Sequence, residues 1–145
     1  MDWTLEVIVL PVSDIDRSVA FYRDQVGFHL DHDTRNEHMQ AVQLTPRGSG
    51  CSIVFGDLPA QNQMTPGSMK AIQLVVSDAA AARDELADRG VEVSDLMVIA
   101  PADGGTFFGF ADPDGNTWSV QEIKERKDKP LIPKGHTGLS EWAGR

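Results

Sequence analysis

Four kinds of side chain in this 145-residue sequence are able to do chemistry. In "HLDH", His29 and His32 flank Asp31, and Glu37 and His38 follow a few positions on. Imidazole and carboxyl groups at this density can move protons or hold a surface metal. "FADPDGN" sets the carboxyls of Asp112 and Asp114 two residues apart, a spacing that serves an acid–base pair or a turn. Cys51 supplies one thiol, a nucleophile if something lowers its pKa. Gln43, Gln73 and Gln121 place amides inside apolar runs. There an unpartnered amide costs about 1–3 kcal/mol and calls for a ligand, a water or another amide.

The surroundings narrow these readings. Asp112 and Asp114 sit in Asp-Pro-Asp-Gly-Asn, where such side chains cap the turn and Gly115 supplies the positive φ, so both are read as turn formers. Cys51 begins "CSIVFG" and is read as a small buried hydrophobe. As the sole cysteine it excludes an internal disulfide framework and a multi-cysteine zinc site. His29, His32, His38 and His136 fall in hydrophilic segments and are read as exposed, with a surface metal on "HLDH" and His38 as the alternative. Arg35, Glu37 and His38 are acid–base candidates if their segment curls over a pocket. No Ser-His-Asp order, phosphate-cradling loop or dinucleotide fingerprint is present.

The elements that must position these groups come in two similar halves. "VIVLPVSDIDRSVAFYRDQVGF" from Val7 and "AIQLVVSDAAAARDELADRGVEV" from Ala71 each run strand, Val-Ser-Asp, helix, Gly, strand, with Asp14 and Asp78 64 positions apart. Ser13 or Asp14 can cap a helix that carries Ile15, Val19, Tyr22 and Val26 on one face and is closed by Gly27. Ser77 or Asp78 and Gly90 bracket the second helix. After the helices come the strand candidates "FHLDHDT", "MQAVQLT" and "CSIVFGD", then "VEVSDLMVI", "GTFFGFAD" and "NTWSVQEI". Each half therefore reads β-α-β-β-β, at about 4–57 and 69–123. Residues 58–68, with two prolines and no apolar period, suit a linker, and 124–145 an irregular tail.

The length suits one domain, 1–123, with the tail appended. A net charge of −9 and a pI near 4.7 oppose binding to nucleic acid or to an anionic membrane, and "KERKDK" is read as a solvated helix end or tail. The apolar run Val7 to Leu10 is too short for a signal or a membrane span, so a cytoplasmic location is expected.

With "VSDIDRSVAFYRDQVGF", "VVSDAAAARDELADRGVEV" and "FADPDGNTWSVQEI" in this order, residues 4–123 resemble the vicinal oxygen chelate superfamily. Its members include glyoxalase I, extradiol dioxygenases and the fosfomycin and bleomycin resistance proteins. The resemblance implies an α+β fold of two β-α-β-β-β modules whose mixed sheet curls around a cavity, and a homodimer. In metal-dependent members, His or Glu side chains on the cavity face of each module's first and last strands hold a divalent metal. Counted from the Val-Ser-Asp and Asp-Pro-Asp-Gly anchors, those positions fall on Val7, Gln43, Ala71 and Ser119. None is His, Asp or Glu, so neither a metal nor another cofactor is expected.

Strand alternation gives that cavity face an apolar lining with a few neutral hydrogen-bonding groups, the composition of a small-molecule pocket. The candidate ligand contacts are Val9, Met39, Gln43, Gln73, Phe108, Ser119 and Gln121. At least one of Phe107, Phe108 and Phe110 should line the cavity, and Trp118 should face the helices. The expected function is metal-independent binding of an apolar or aromatic compound, of the bleomycin-resistance-like type, with catalytic residues unassigned. The alternative is an enzyme on the same scaffold, a metal-free acid–base lyase or isomerase or a metal-dependent lyase or dioxygenase. A third reading makes the tail from Lys124 a contact for a partner.

Overall fold

The structure is a computed structural model that describes residues 1–129. His136 and the greater part of the proposed tail lie outside the described residues. The first module runs β1 (Val7–Val9), α1 (Ile15–Val19), β2 (His29–Arg35), β3 (Gln40–Thr45) and β4 (Ser52–Gly56); α1 continues as a π-helical stretch, Ala20–Val26. The second runs β5 (Ile72–Val76), α2 (Ala79–Asp88), β6 (Met97–Val98), β7 (Thr106–Ala111) and β8 (Thr117–Glu122). Each module builds one four-stranded mixed sheet, in the orders β1-β4-β3-β2 and β5-β8-β7-β6. The pairs β1/β4 and β5/β8 are parallel and the others antiparallel. The fold is α+β with the repeat read from the sequence, and the two sheets do not close into a barrel. No described helix is long and apolar enough to cross a membrane.

The helices begin and end where local chemistry dictates. Asp14 and Asp78 are the caps, each accepting the N–H three residues on, of Arg17 and of Ala81, at 3.0 Å. Gly27 and Gly90 close the two helical segments at φ +92° and +86°. Two expectations need correction. "VEVSDLMVI" is not one strand: the Ser94 hydroxyl accepts the Gly109 N–H at 2.9 Å in place of a ladder carbonyl, leaving a bridge at Val93 and the short β6. Residues 58–68 are no loose linker, because buried Gln61 accepts the Gly56 N–H at 2.7 Å and donates to the Val12 carbonyl at 3.3 Å. A Cβ on Gly67, at φ +82°, would lie 2.0 Å from the Asp114 carbonyl oxygen, so this segment is held against the 112–116 turn.

One core spans both modules. Val42, Leu44, Ile53 and Phe55 of the first sheet, and Phe108, Phe110, Trp118 and Val120 of the second, share it with the helices. Tyr22 stacks on Phe28 with ring centroids 5.7 Å apart and meets Trp118 edge-on at 5.8 Å. At its centre lies a polar knot. Asp112 Oδ2 accepts from Tyr22 Oη and Asn116 Nδ2 at 2.8 Å, and its Oδ1 accepts the Asp114 and Asn116 N–H groups at 2.9 Å. Trp118 Nε1 donates to Tyr22 Oη at 2.9 Å. Asn116 Nδ2 also donates to the Pro11 carbonyl at 2.8 Å, and its Oδ1 accepts the Met69 N–H at 3.0 Å. The turn reading of Asp112 thus holds locally, and the same carboxyl joins the modules.

Removing that carboxyl strands buried donors, so Asp112→Ala should cost about 3 kcal/mol or more in denaturant unfolding, and Tyr22→Phe about 1–3 kcal/mol. Burial, reinforced by the charge of Asp112, pushes the Tyr22 hydroxyl far above its ordinary value of 10.0. The unfolded chain ionises near pH 10 while the folded one does not, so stability is intact below about pH 10 and declines as pH rises beyond it. Tyr22 is the only tyrosine. Absorbance at about 295 nm should show no tyrosinate at about pH 11 until the protein unfolds; a native transition near pH 10 would refute the buried knot.

Candidate functional site

Each sheet turns one face to the core and leaves the other, the open face, without a described helix over it, although Gln43, Thr45 and Ser52 on that face of the first sheet are buried among their neighbours. Strand register assembles the open faces into rows: Val9, Val54, Gln43 and His32 on the first sheet; Gln73, Ser119 and Gly109, and then Val75, Gln121, Phe107 and Met97, on the second. Among the candidate contacts, Val9, Gln43, Gln73, Ser119 and Gln121 belong to these rows. Gln73 Nε2 donates to Gln121 Oε1 at 2.7 Å, and Gln121 Nε2 to the Gly104 carbonyl at 2.8 Å, so these amides largely satisfy one another. Phe108 does not belong: it pairs with Val120 on the core side and is 1% exposed, and Phe107 takes the open position. Met39 precedes β3, in an exposed turn where its N–H donates to Asn36 Oδ1 at 3.0 Å.

The positions counted for a metal also shift. Gln43 lies on β3, whereas the last strand of the first module is β4, whose open-face residues are Ser52, Val54 and Gly56. Ala71 precedes β5 at φ +57° and donates its N–H to Thr117 Oγ1 at 2.7 Å; β5 itself presents Gln73 and Val75. Alkyl groups, hydroxyls and amides form a donor set that does not fit a divalent cation. Among the described residues, no three His, Cys, Asp or Glu side chains gather closely enough to hold one.

The first sheet's open face also carries two imidazoles, exposed as the sequence reading expected, and a buried acid that it did not single out. A bulge in β2, between Leu30 and His32, lets His29, Asp31 and His32 all reach the open side. The Asp31 side chain is 1% exposed: its Oδ2 accepts from Thr45 Oγ1 and, at 3.4 Å, from Gln43 Nε2. Its Oδ1 is buried without a hydrogen-bond partner, 3.8 Å from His29 Nε2. Counting alternation from Leu30, which pairs with Leu44 in the core, could have found Asp31; the phase of His32 depends on the bulge. The other acid–base candidates stay apart, since Arg35 is bound to Asp33 and Asp16, and Glu37 and His38 pair at 3.3 Å in an exposed turn. Half-buried Cys51 has its thiol pushed up by burial, the opposite of an activated nucleophile.

Two clefts flank β5. One of about 400 Å³ lies between the β3–β4 loop and β5; another of about 320 Å³ lies on the helix side, over Leu86, Phe108, Phe110 and Val120.

Comparison with known proteins agrees with this architecture. The model of the Glyoxalase/Bleomycin resistance protein/Dioxygenase superfamily matches residues 4–120. The chain is similar to TnmS3, an antibiotic binding protein from Streptomyces sp. CB03234, at 31% identity and a TM-score of 0.71, covering 84% of this chain and 97% of that one. It is similar to a glyoxalase/bleomycin resistance protein from the same strain at 32% identity and a TM-score of 0.69, over 82% and 100% of the two chains. Uncharacterized protein PA2024 of Pseudomonas aeruginosa is 29% identical over 122 residues, 80% of this chain and 86% of the relative. With its repeated β-α-β-β-β module and a match across nearly all its described length, the chain belongs to the Glyoxalase/Bleomycin resistance protein/Dioxygenase superfamily.

Proposed function

We propose that the chain is a metal-independent binding protein for an apolar or aromatic small molecule, which lies on the open sheet faces of a homodimer. The observation that carries this reading is the composition of those faces. Val9, Val54, Val75 and Phe107 offer apolar contact, and Ser119 and the Gln73–Gln121 pair offer neutral hydrogen bonds, with no described helix packed over them. That TnmS3 is an antibiotic binding protein supports a binding role on this scaffold.

The dimer rests on exposed apolar strips at the sheet margins. Trp3 and Leu5, ahead of edge strand β1, are 90% and 70% exposed, and Val98 and Ile99, at edge strand β6, are 69% and 73% exposed. A second copy packed on these margins would cover the exposed apolar side chains and wall in the open faces.

A second reading follows from His29 and Asp31. An imidazole 3.8 Å from a buried carboxyl oxygen on an open face is the pairing of a general base with the group that orients it, and would serve a metal-free lyase or isomerase.

Fluorescence titration with a planar apolar probe, N-phenyl-1-naphthylamine, should show saturable binding unchanged by chelator, weakened about 5- to 20-fold in Phe107→Ala. Binding that requires an added divalent metal would defeat the metal-independent reading. Val98→Glu with Ile99→Glu should shift the mass in sedimentation equilibrium from dimer to monomer; a wild-type monomer would sink the dimer. If a substrate is turned over, His29→Ala should abolish turnover and leave binding intact, and undiminished turnover would remove the dyad.

A further inference from the structure

The chain carries 22 acidic and 13 basic residues, so an arginine without a carboxylate nearby goes against the average. Arg17, Arg23, Arg35, Arg83 and Arg89 each have one within 4 Å. Arg47 and Arg126 do not, among the described residues, and both line the cleft of about 400 Å³ between the β3–β4 loop and β5. No acidic residue lines that cleft.

Its wall adds further donors. β5 is an edge strand, and the Ile123 N–H donates to the Val76 carbonyl at 2.9 Å, so Val76, Leu74 and Ile72 hydrogen-bond toward β8. By alternation the backbone N–H groups of Gln73 and Val75 face outward along the cleft, without a backbone partner among the described residues. Guanidinium groups beside free strand-edge N–H groups bind anionic oxygen through charge-assisted hydrogen bonds. The side chains of these two residues belong to the open face, so the cleft borders the candidate ligand site.

We infer that the ligand is an organic anion: an apolar or aromatic body on the open face of the second sheet, with a carboxylate, sulfonate or phosphate held by Arg47, Arg126 and the edge of β5. This rests on the binding function proposed above. It also gives the cleft a task that neutral apolar contact leaves unexplained.

Two dyes of nearly the same skeleton test it: N-phenyl-1-naphthylamine, neutral, and 8-anilino-1-naphthalenesulfonate, which adds the anion. The wild-type protein should bind the sulfonate about three- to tenfold more tightly. Arg47→Gln and Arg126→Gln should each erode that preference without changing affinity for the neutral dye, while Arg23→Gln, which alters an exposed paired arginine, changes neither. Equal affinity for both dyes, or a preference untouched by either cleft variant, overturns the inference and leaves the binding function standing. Binding of neither dye removes both.

Discussion

The structure depends on keeping one buried carboxyl satisfied. Asp112 is 5% exposed and accepts four hydrogen bonds, two from the backbone of its own turn and two from the side chains of Tyr22 and Asn116. A carboxyl in that position is tolerable only while all of its donors are present. Those donors come from the π-helical continuation of α1 and from the turn, and Asn116 ties the turn to the chain on both sides by donating to the Pro11 carbonyl and accepting the Met69 N–H. The two modules are therefore joined by hydrogen bonds of definite geometry as well as by a shared apolar core. Arg17 and Ser13 add a rim to the joint by binding Asp114.

With both helices and one face of each sheet committed to this core, the other faces have no partner within the described chain. That is the physical origin of the candidate site. The open strips are apolar and neutral in the middle, where Gln73 donates to Gln121, and carry ionisable side chains at their margins. At one margin the β2 bulge seats Asp31 under His29; at another, Arg47 and Arg126 border the free edge of β5. The acidic surface makes the second margin the more distinctive, since it holds cations that no described carboxylate neutralises.

Helix caps, the repeat and the α+β class were legible because they rest on local bonds. Asp14 and Asp78 cap by reaching three residues along the chain, and Gly27 and Gly90 close helices through their own φ. The residue types along the first and last strands were likewise readable, even though Gln43 and Ala71 were assigned to strand positions they do not occupy. Composition travels with the segment and survives a register error.

Facing did not survive it. Which of Phe107 and Phe108 is core was settled by pairing with Gln121 and Val120, and the phase of His32 by a single unpaired residue in β2. Likewise Tyr22 and Asp112 are 90 positions apart, and nothing local to either requires the other. The sequence by itself determined the modules, their caps and the apolar and amide residue types of strands β1, β5 and β8, because each follows from neighbours along the chain. The tertiary structure alone decided the knot between modules, the bulged acid and the meeting of Arg47 and Arg126 at one cleft, because these depend on strand register and on segments that meet only after folding.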